Sequence, residues 1–276
     1  MTYEHPGLSA LEYLHCRYGK SRLLFRGPKR KLESPYAAFF GGTETYGKFV
    51  EKPFPFLIEE ETGKKCVNFG CLNAGAGLYV NDPTLMDAAA RADVTVVQAM
   101  GAQNMSNRFY AVHPRRNDRF LRASSLMKTL FREVDFTEFS FTRHMLATLR
   151  RVSEEKYAVV VDELKAAWVA RMLTMLDTIE GKVVLLWVRD ERERDDDTND
   201  CLGNEPLFID EDMVATLRPH LAGIVQIAPS AEAWGAGTKG MHYSELEAPA
   251  AAEMPGPRVH QEIAKSLVAA VQRHVS

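Results

Sequence analysis

Three times within the first 104 residues a short, largely apolar run stops at a glycine: Ala37 to Phe40 at Gly41-Gly42, Lys65 to Phe69 at Gly70, and Val94 to Met100 at Gly101. Runs this short suit buried strands rather than helices. Helical spacing separates them. Phe54, Phe56, Leu57 and Ile58 lead to the breaker Thr62-Gly63, and Asp82-Pro83 caps a stripe of Leu85, Met86, Ala89 and Ala90. The strand-helix-strand-helix-strand order predicts a parallel sheet with crossover helices, which brings the three strand ends to one rim. Glycines there let backbone N–H groups approach a ligand.

The rest of the chain extends this pattern. Ser153 caps a long helix, with Glu154 and Glu155 in its first turn and Val161, Leu164, Trp168, Met172, Met175 and Ile179 on one face, ending at Gly181. Val183 to Val188 reads as a fourth strand, Asp210 to Leu221 as a helix, and Ile224 to Ile227 as a fifth strand. The charged run Asp190 to Asp200 reads as a mobile, solvated loop. Residues 242–257 look irregular, and a last helix from Arg258 carries Ile263, Leu267, Val268 and Val271. Residues 105–150 break the rhythm as a cap-like insertion, and the expected organisation is one α/β domain over residues 1–276.

Composition narrows the function. A net charge of −3, from 34 basic and 37 acidic residues, disfavours a nucleic-acid binder. No apolar stretch follows a charged start, and the longest wholly apolar run, Val183 to Val188, is too short to cross a bilayer. Cys16, Cys66, Cys71 and Cys201 form no close pair, so reduced thiols and a cytoplasmic location are expected, without membrane contact. The eight histidines include no metal-binding pair at helical spacing, and His113 and His144 read as structural or solvated. No nucleotide-binding loop is recognisable, so no metal and no cofactor are expected.

The first strand end, Gly41-Gly42-Thr43-Glu44-Thr45-Tyr46-Gly47, places one short hydroxyl, Thr43, at the rim. A tight strand-to-helix turn with Thr43 as N-cap accounts for these residues as well as a catalytic role does. The spacing Gly41, Thr43, Thr45, Gly47 resembles the first block of the SGNH (GDSL-type) hydrolases, with Gly42 where that family has aspartate and Thr43 where it has the serine nucleophile. Asn68 to Gly75 resembles the second block, and Gly101-Ala102-Gln103-Asn104 the third with one extra residue.

The resemblance implies a three-layer α/β/α sandwich with a five-stranded, mostly parallel, flavodoxin-like sheet. It also implies an oxyanion site formed by the Thr43 N–H, the Gly75 N–H and the Asn104 amide, with Gln103 an amide of equal capability. Gly42, Glu44 and Asn73 would flank the substrate. In the last block Met254-Pro255 stands where the family has His-Pro and Ala251 where it has aspartate. The remaining candidates for a base are His260, at the start of the last helix, and His242 upstream.

Asn107 to Arg122 is rich in arginine and aromatic residues, and Arg108, Arg115, Arg116 and Arg119 are its candidate anion-binding groups. At least one of them is expected to reach the pocket of Thr43 and Asn104. Pairing with surface carboxylates is the competing account. The string from Gly41 through this segment to the Pro-Gly-Pro-x-x-His ending also resembles an uncharacterised bacterial domain family of unknown function. Two functions therefore stand: an esterase or acyltransferase acting on an anionic or carbohydrate-like metabolite, or an inactive SGNH-like protein that binds one.

Overall fold

The computed structural model describes residues 11–33, 35–192 and 202–275. Strands β1 (Ala37–Phe40), β2 (Cys66–Asn68) and β3 (Val94–Gln98) alternate with helices α1 (Thr43–Tyr46), α2 (Phe54–Thr62), α3 (Gly77–Val80) and α4 (Pro83–Ala90). Next come β4 (Tyr110–His113), β5 (Arg116–Ala123), α5 (Ser125–Leu130) and α6 (Thr142–Val152). The chain continues through α7 (Glu154–Ile179), β6 (Val183–Val188), α8 (Glu211–Leu217), β7 (Gly223–Ile227), α9 (Ala231–Gly235), α10 (Ala248–Ala252) and α11 (Pro257–His274).

The main sheet has the order β2-β1-β3-β6-β7, with every pairing parallel. This is the expected α/β sheet flanked by helices, and its order places a crevice beside β1 and β3, where successive connections leave in opposite directions. Strand alternation builds two cores. Ala38 and Phe40 join a core with Val97, Leu185 and the α7 residues Leu164, Trp168 and Met172. Ala37 and Phe39 pack on the opposite side with Phe54, Ile58, Ile263 and Leu267, from α2 and α11. Because both faces of the central strands are covered, their side chains are mostly apolar rather than alternating, with buried Thr95 and Gln98 the polar residues of β3.

Local chemistry sets the helix ends. The Asp82 carboxylate accepts from the Thr84 and Leu85 N–H groups before α4, and the Ser153 hydroxyl accepts from Lys156 N–H before α7. α7 ends two residues before Gly181, with Glu180 in the left-handed region at φ 50°.

The insertion differs from a simple helical cap. Its first half is an antiparallel hairpin, β4 with β5, which the arginine-rich composition concealed. Residues 193–200 of the acidic run, and Cys201, lie outside the described residues. Among the described residues no helix is long and apolar enough to cross a membrane.

Candidate functional site

A cavity of about 750 Å³ opens at the carboxyl ends of the strands. Gly42, Thr43 and Glu44 enter it from the end of β1, Asn73 and Ala74 from the loop after β2, and Gln103 and Asn104 from the loop after β3. The hairpin supplies Asp118, α6 supplies Thr142, Arg143 and His144, and the segment after β6 supplies Asp190 and Arg192.

α1 is only four residues long and relies on tertiary support. Buried Arg26 donates from Nη1 to the Gly47 carbonyl at 2.6 Å and from Nη2 to the Glu51 carbonyl at 2.6 Å, answering carbonyls at and beyond its end. At its start Gln98 Oε1 accepts from the Gly42 N–H at 3.1 Å and from the Thr45 hydroxyl at 2.6 Å. A Cβ at Gly41 would collide with that Thr45–Gln98 pair, so glycine is required by close approach. The N-cap position belongs to Gly42 and Thr43 is the first helical residue, which corrects the expectation of Thr43 as the cap.

The Thr43 hydroxyl donates to Asn73 Oδ1 at 3.2 Å and accepts from Asn73 N–H at 2.9 Å. Asn73 itself is left-handed, at φ 53°, a conformation asparagine tolerates better than most residues. Asn104 Nδ2 donates to the Asn73 carbonyl at 3.2 Å, while its Oδ1 accepts from the Thr142 hydroxyl at 3.1 Å. Glu44 accepts from Gln98 Nε2 at 2.8 Å. Burial pushes its carboxyl above the usual range; the Gln98 and backbone hydrogen bonds oppose this, and nearby Glu205 adds to it.

Gly42, Thr43, Glu44, Asn73, Gln103 and Asn104 thus meet as expected from the sequence. Other candidates do not. The Gly75 N–H is held by Asn117 Oδ1 at 3.0 Å, which removes it as a free oxyanion donor. His260 is 1% exposed, stacked on Phe54, and its Nδ1 accepts from Phe54 N–H at 3.2 Å. Burial foremost, then the Arg26 charge, pushes its imidazole down to about 3, so it is no base for this cavity. His242 gives its N–H to the Phe49 carbonyl at 2.8 Å and is absent from the lining.

The arginine expectation also needs correcting, because Arg108, Arg115, Arg116 and Arg119 are all outside the lining. Arg108 pairs with Glu163 at 2.6 Å, Arg115 and Arg116 are exposed at the hairpin turn, and Arg119 lies over the Phe141 ring at 4.8 Å. Of the hairpin residues, Asp118 is the one that lines the cavity. The lining arginines are Arg143, paired with Glu205 at 2.8 Å, and Arg192, whose Nε and Nη2 each reach Asp190 at 2.8 Å. His144, read from the sequence as structural, is the histidine of the cavity. Only its place in the fold identifies it, since nothing around it in the sequence forms a motif.

Met254 and Pro255, from the segment before α11, also line the cavity. Two polar atoms of the lining are buried without a partner: Gln103 Oε1 and Trp234 Nε1.

No curated protein matches the sequence. Among solved structures, a lipase, Lip_vut3 from goat rumen metagenome, is similar at a TM-score of 0.41 and 15% identity, over 86% of this chain and 97% of that one. A family model described as "Domain of unknown function (DUF6473)" matches residues 1–275, and the chain belongs to that family.

Proposed function

We propose that the cavity binds a small, polar, hydroxyl-bearing metabolite, and that Thr43 serves it as a structural residue rather than as a nucleophile. The observation that carries this reading is the hydrogen bonding of Thr43, both of whose bonds run to Asn73. A hydroxyl becomes nucleophilic when a base accepts its proton at roughly 2.6–3.2 Å. Here an amide oxygen, which is not a base at neutral pH, holds that place. The unpartnered Gln103 and Trp234 atoms add to the case, because native buried polar groups are normally satisfied.

The test is thermal stabilisation by a panel of polar metabolites, run beside hydrolysis of short acyl esters by wild type and Thr43→Ala. Stabilisation without ester turnover is expected, and a ligand at a hundredfold its Kd should contribute about 2.7 kcal/mol. Ester turnover that Thr43→Ala abolishes would overturn the reading.

One observation favours a second reading, an SGNH-like esterase or acyltransferase: Thr43, Asn104 and His144 line one cavity. On that reading a substrate displaces Asn73 from the Thr43 hydroxyl and His144 takes the proton. His144→Ala would then abolish ester turnover while leaving metabolite-induced stabilisation in place.

A further inference from the structure

We infer that the ligand of this cavity carries a cationic, ammonium-type centre among its hydroxyl groups, received by Asp118 and Glu44. The inference rests on the binding reading above and names the ligand class for the same cavity.

The charge balance of the lining comes first. Five carboxyl groups, Glu44, Asp118, Asp190, Glu205 and Glu253, face two guanidinium groups, Arg143 and Arg192. Both guanidinium groups are already committed, Arg143 to Glu205 and Arg192 in a two-pronged pair to Asp190. An incoming anion would have to take one of them from its carboxylate and then face the others, which like-charge repulsion opposes. A cation meets Asp118, which has no ion pair among the described residues, and Glu44, which lines the same cavity and whose carboxyl is raised by burial and by nearby Glu205, a penalty that a cation beside it would relieve.

A second observation is independent of the carboxylates. Gln103 is 6% exposed and lines the same cavity, and its Oε1 is buried with no hydrogen-bond donor. An acceptor in that state is satisfied by a donor that arrives with the ligand, and an ammonium or hydroxyl group supplies one. On another part of the lining Trp234 Nε1 is a buried donor without an acceptor, beneath the Arg192 guanidinium at 3.8 Å from the ring centroid. A ligand hydroxyl oxygen suits that position. Unmet acceptors together with one unmet donor describe an amine-bearing polyol better than an acid.

A bare metal ion fits less well. Among the described residues no three carboxylate, imidazole or thiol side chains converge closely enough to hold one, and about 750 Å³ is room for a whole small molecule.

The experiment uses the full chain with six probes, glucosamine, galactosamine, glucose, galactose, glucuronate and glucose 6-phosphate, read by thermal shift and then by titration calorimetry. The amino sugars should raise Tm most, the neutral sugars less and the acids not at all. Asp118→Asn should weaken the tightest amine at least about tenfold, equivalent to about 1.4 kcal/mol. Glu44→Gln should act in the same direction, and Arg115→Glu, outside the cavity, should leave the affinity unchanged. If glucuronate or glucose 6-phosphate binds more tightly than the amino sugars, or Asp118→Asn leaves amine affinity intact, the cation assignment is overturned and the binding reading survives. If no probe of any charge changes Tm or gives heat, the binding reading falls with it.

Discussion

Where α11 packs on α2, His260 is enclosed, stacked on Phe54 and satisfied by the Phe54 N–H. Where α6 meets the rim, His144 is exposed, packs edge-on against Phe139 at 5.1 Å and lines the cavity. The first histidine is a packing residue whose single acceptor closes a helix start. The second belongs to a region where five carboxyl groups line the cavity and a buried amide oxygen and indole N–H have no partner. Nearness in sequence to a functional block therefore says little about which way a side chain faces. His260 is one helical turn beyond Gly256, yet that turn rotates it into the core beneath β1.

The largest expected effect tests the enclosed side of this contrast. Because His260 is held at about 3 in the folded protein, below the ordinary histidine value near 6.5, the unfolded chain takes up the proton first as pH falls. The contribution of His260 is thus fully present above about pH 6.5 and is lost progressively towards about pH 3. Between pH 7 and pH 4.5 that loss should amount to about 2–3 kcal/mol. Urea denaturation at the two pH values should show wild type losing more than His260→Gln by this margin. Equal losses would mean His260 is not enclosed, and the contrast with His144 would dissolve.

A smaller effect separates the regions by their glycines. A Cβ on Gly75 would meet the Asn104 carbonyl, at the point where the loops after β2 and β3 touch. Gly63 ends α2 at φ 67° with nothing near its added Cβ. Gly75→Ala should cost roughly 1–3 kcal/mol by overpacking and weaken ligand binding, because Asn104 and Asn73 shift with it. Gly63→Ala should cost about 1 kcal/mol through backbone strain and leave binding intact. Differential scanning calorimetry with and without ligand checks both.

The strands and most helices were legible because burial on both faces and side-chain capping are local signals, as at Val94 to Gln98 and at Asp82 and Ser153. The rim residues from Gly42 to Asn104 were legible for a related reason, since the strand order alone collects them. The hairpin was not, because the buried residues of β5, Asn117, Phe120 and Ala123, recur every three positions in a pairing with register shifts, so no period-two pattern marks the strand. The other half of the cavity was also out of reach. Asp118, His144, Asp190 and Trp234 come from segments far apart in the chain, and only packing brings them together. Arg26, which answers the Gly47 and Glu51 carbonyls at and beyond the end of α1 from more than 20 residues upstream, belongs in the same class.

The smallest effect concerns Thr43, whose hydroxyl both receives and returns a hydrogen bond to Asn73. If it serves to hold Asn73 at φ 53°, removing it frees an exposed loop that water can partly satisfy, so Thr43→Ala should cost only about 1 kcal/mol. Thr43→Ser keeps the hydroxyl and should recover most of that stability. The pairing is specific enough for a double-mutant cycle: Thr43→Ala and Asn73→Ala should be less than additive by about 0.5–1 kcal/mol, because either change alone already breaks the shared contact. Additive losses would show that the two residues act independently. Thr43 would then have no structural reason to carry a hydroxyl at the rim, and the esterase reading would gain from the same measurement.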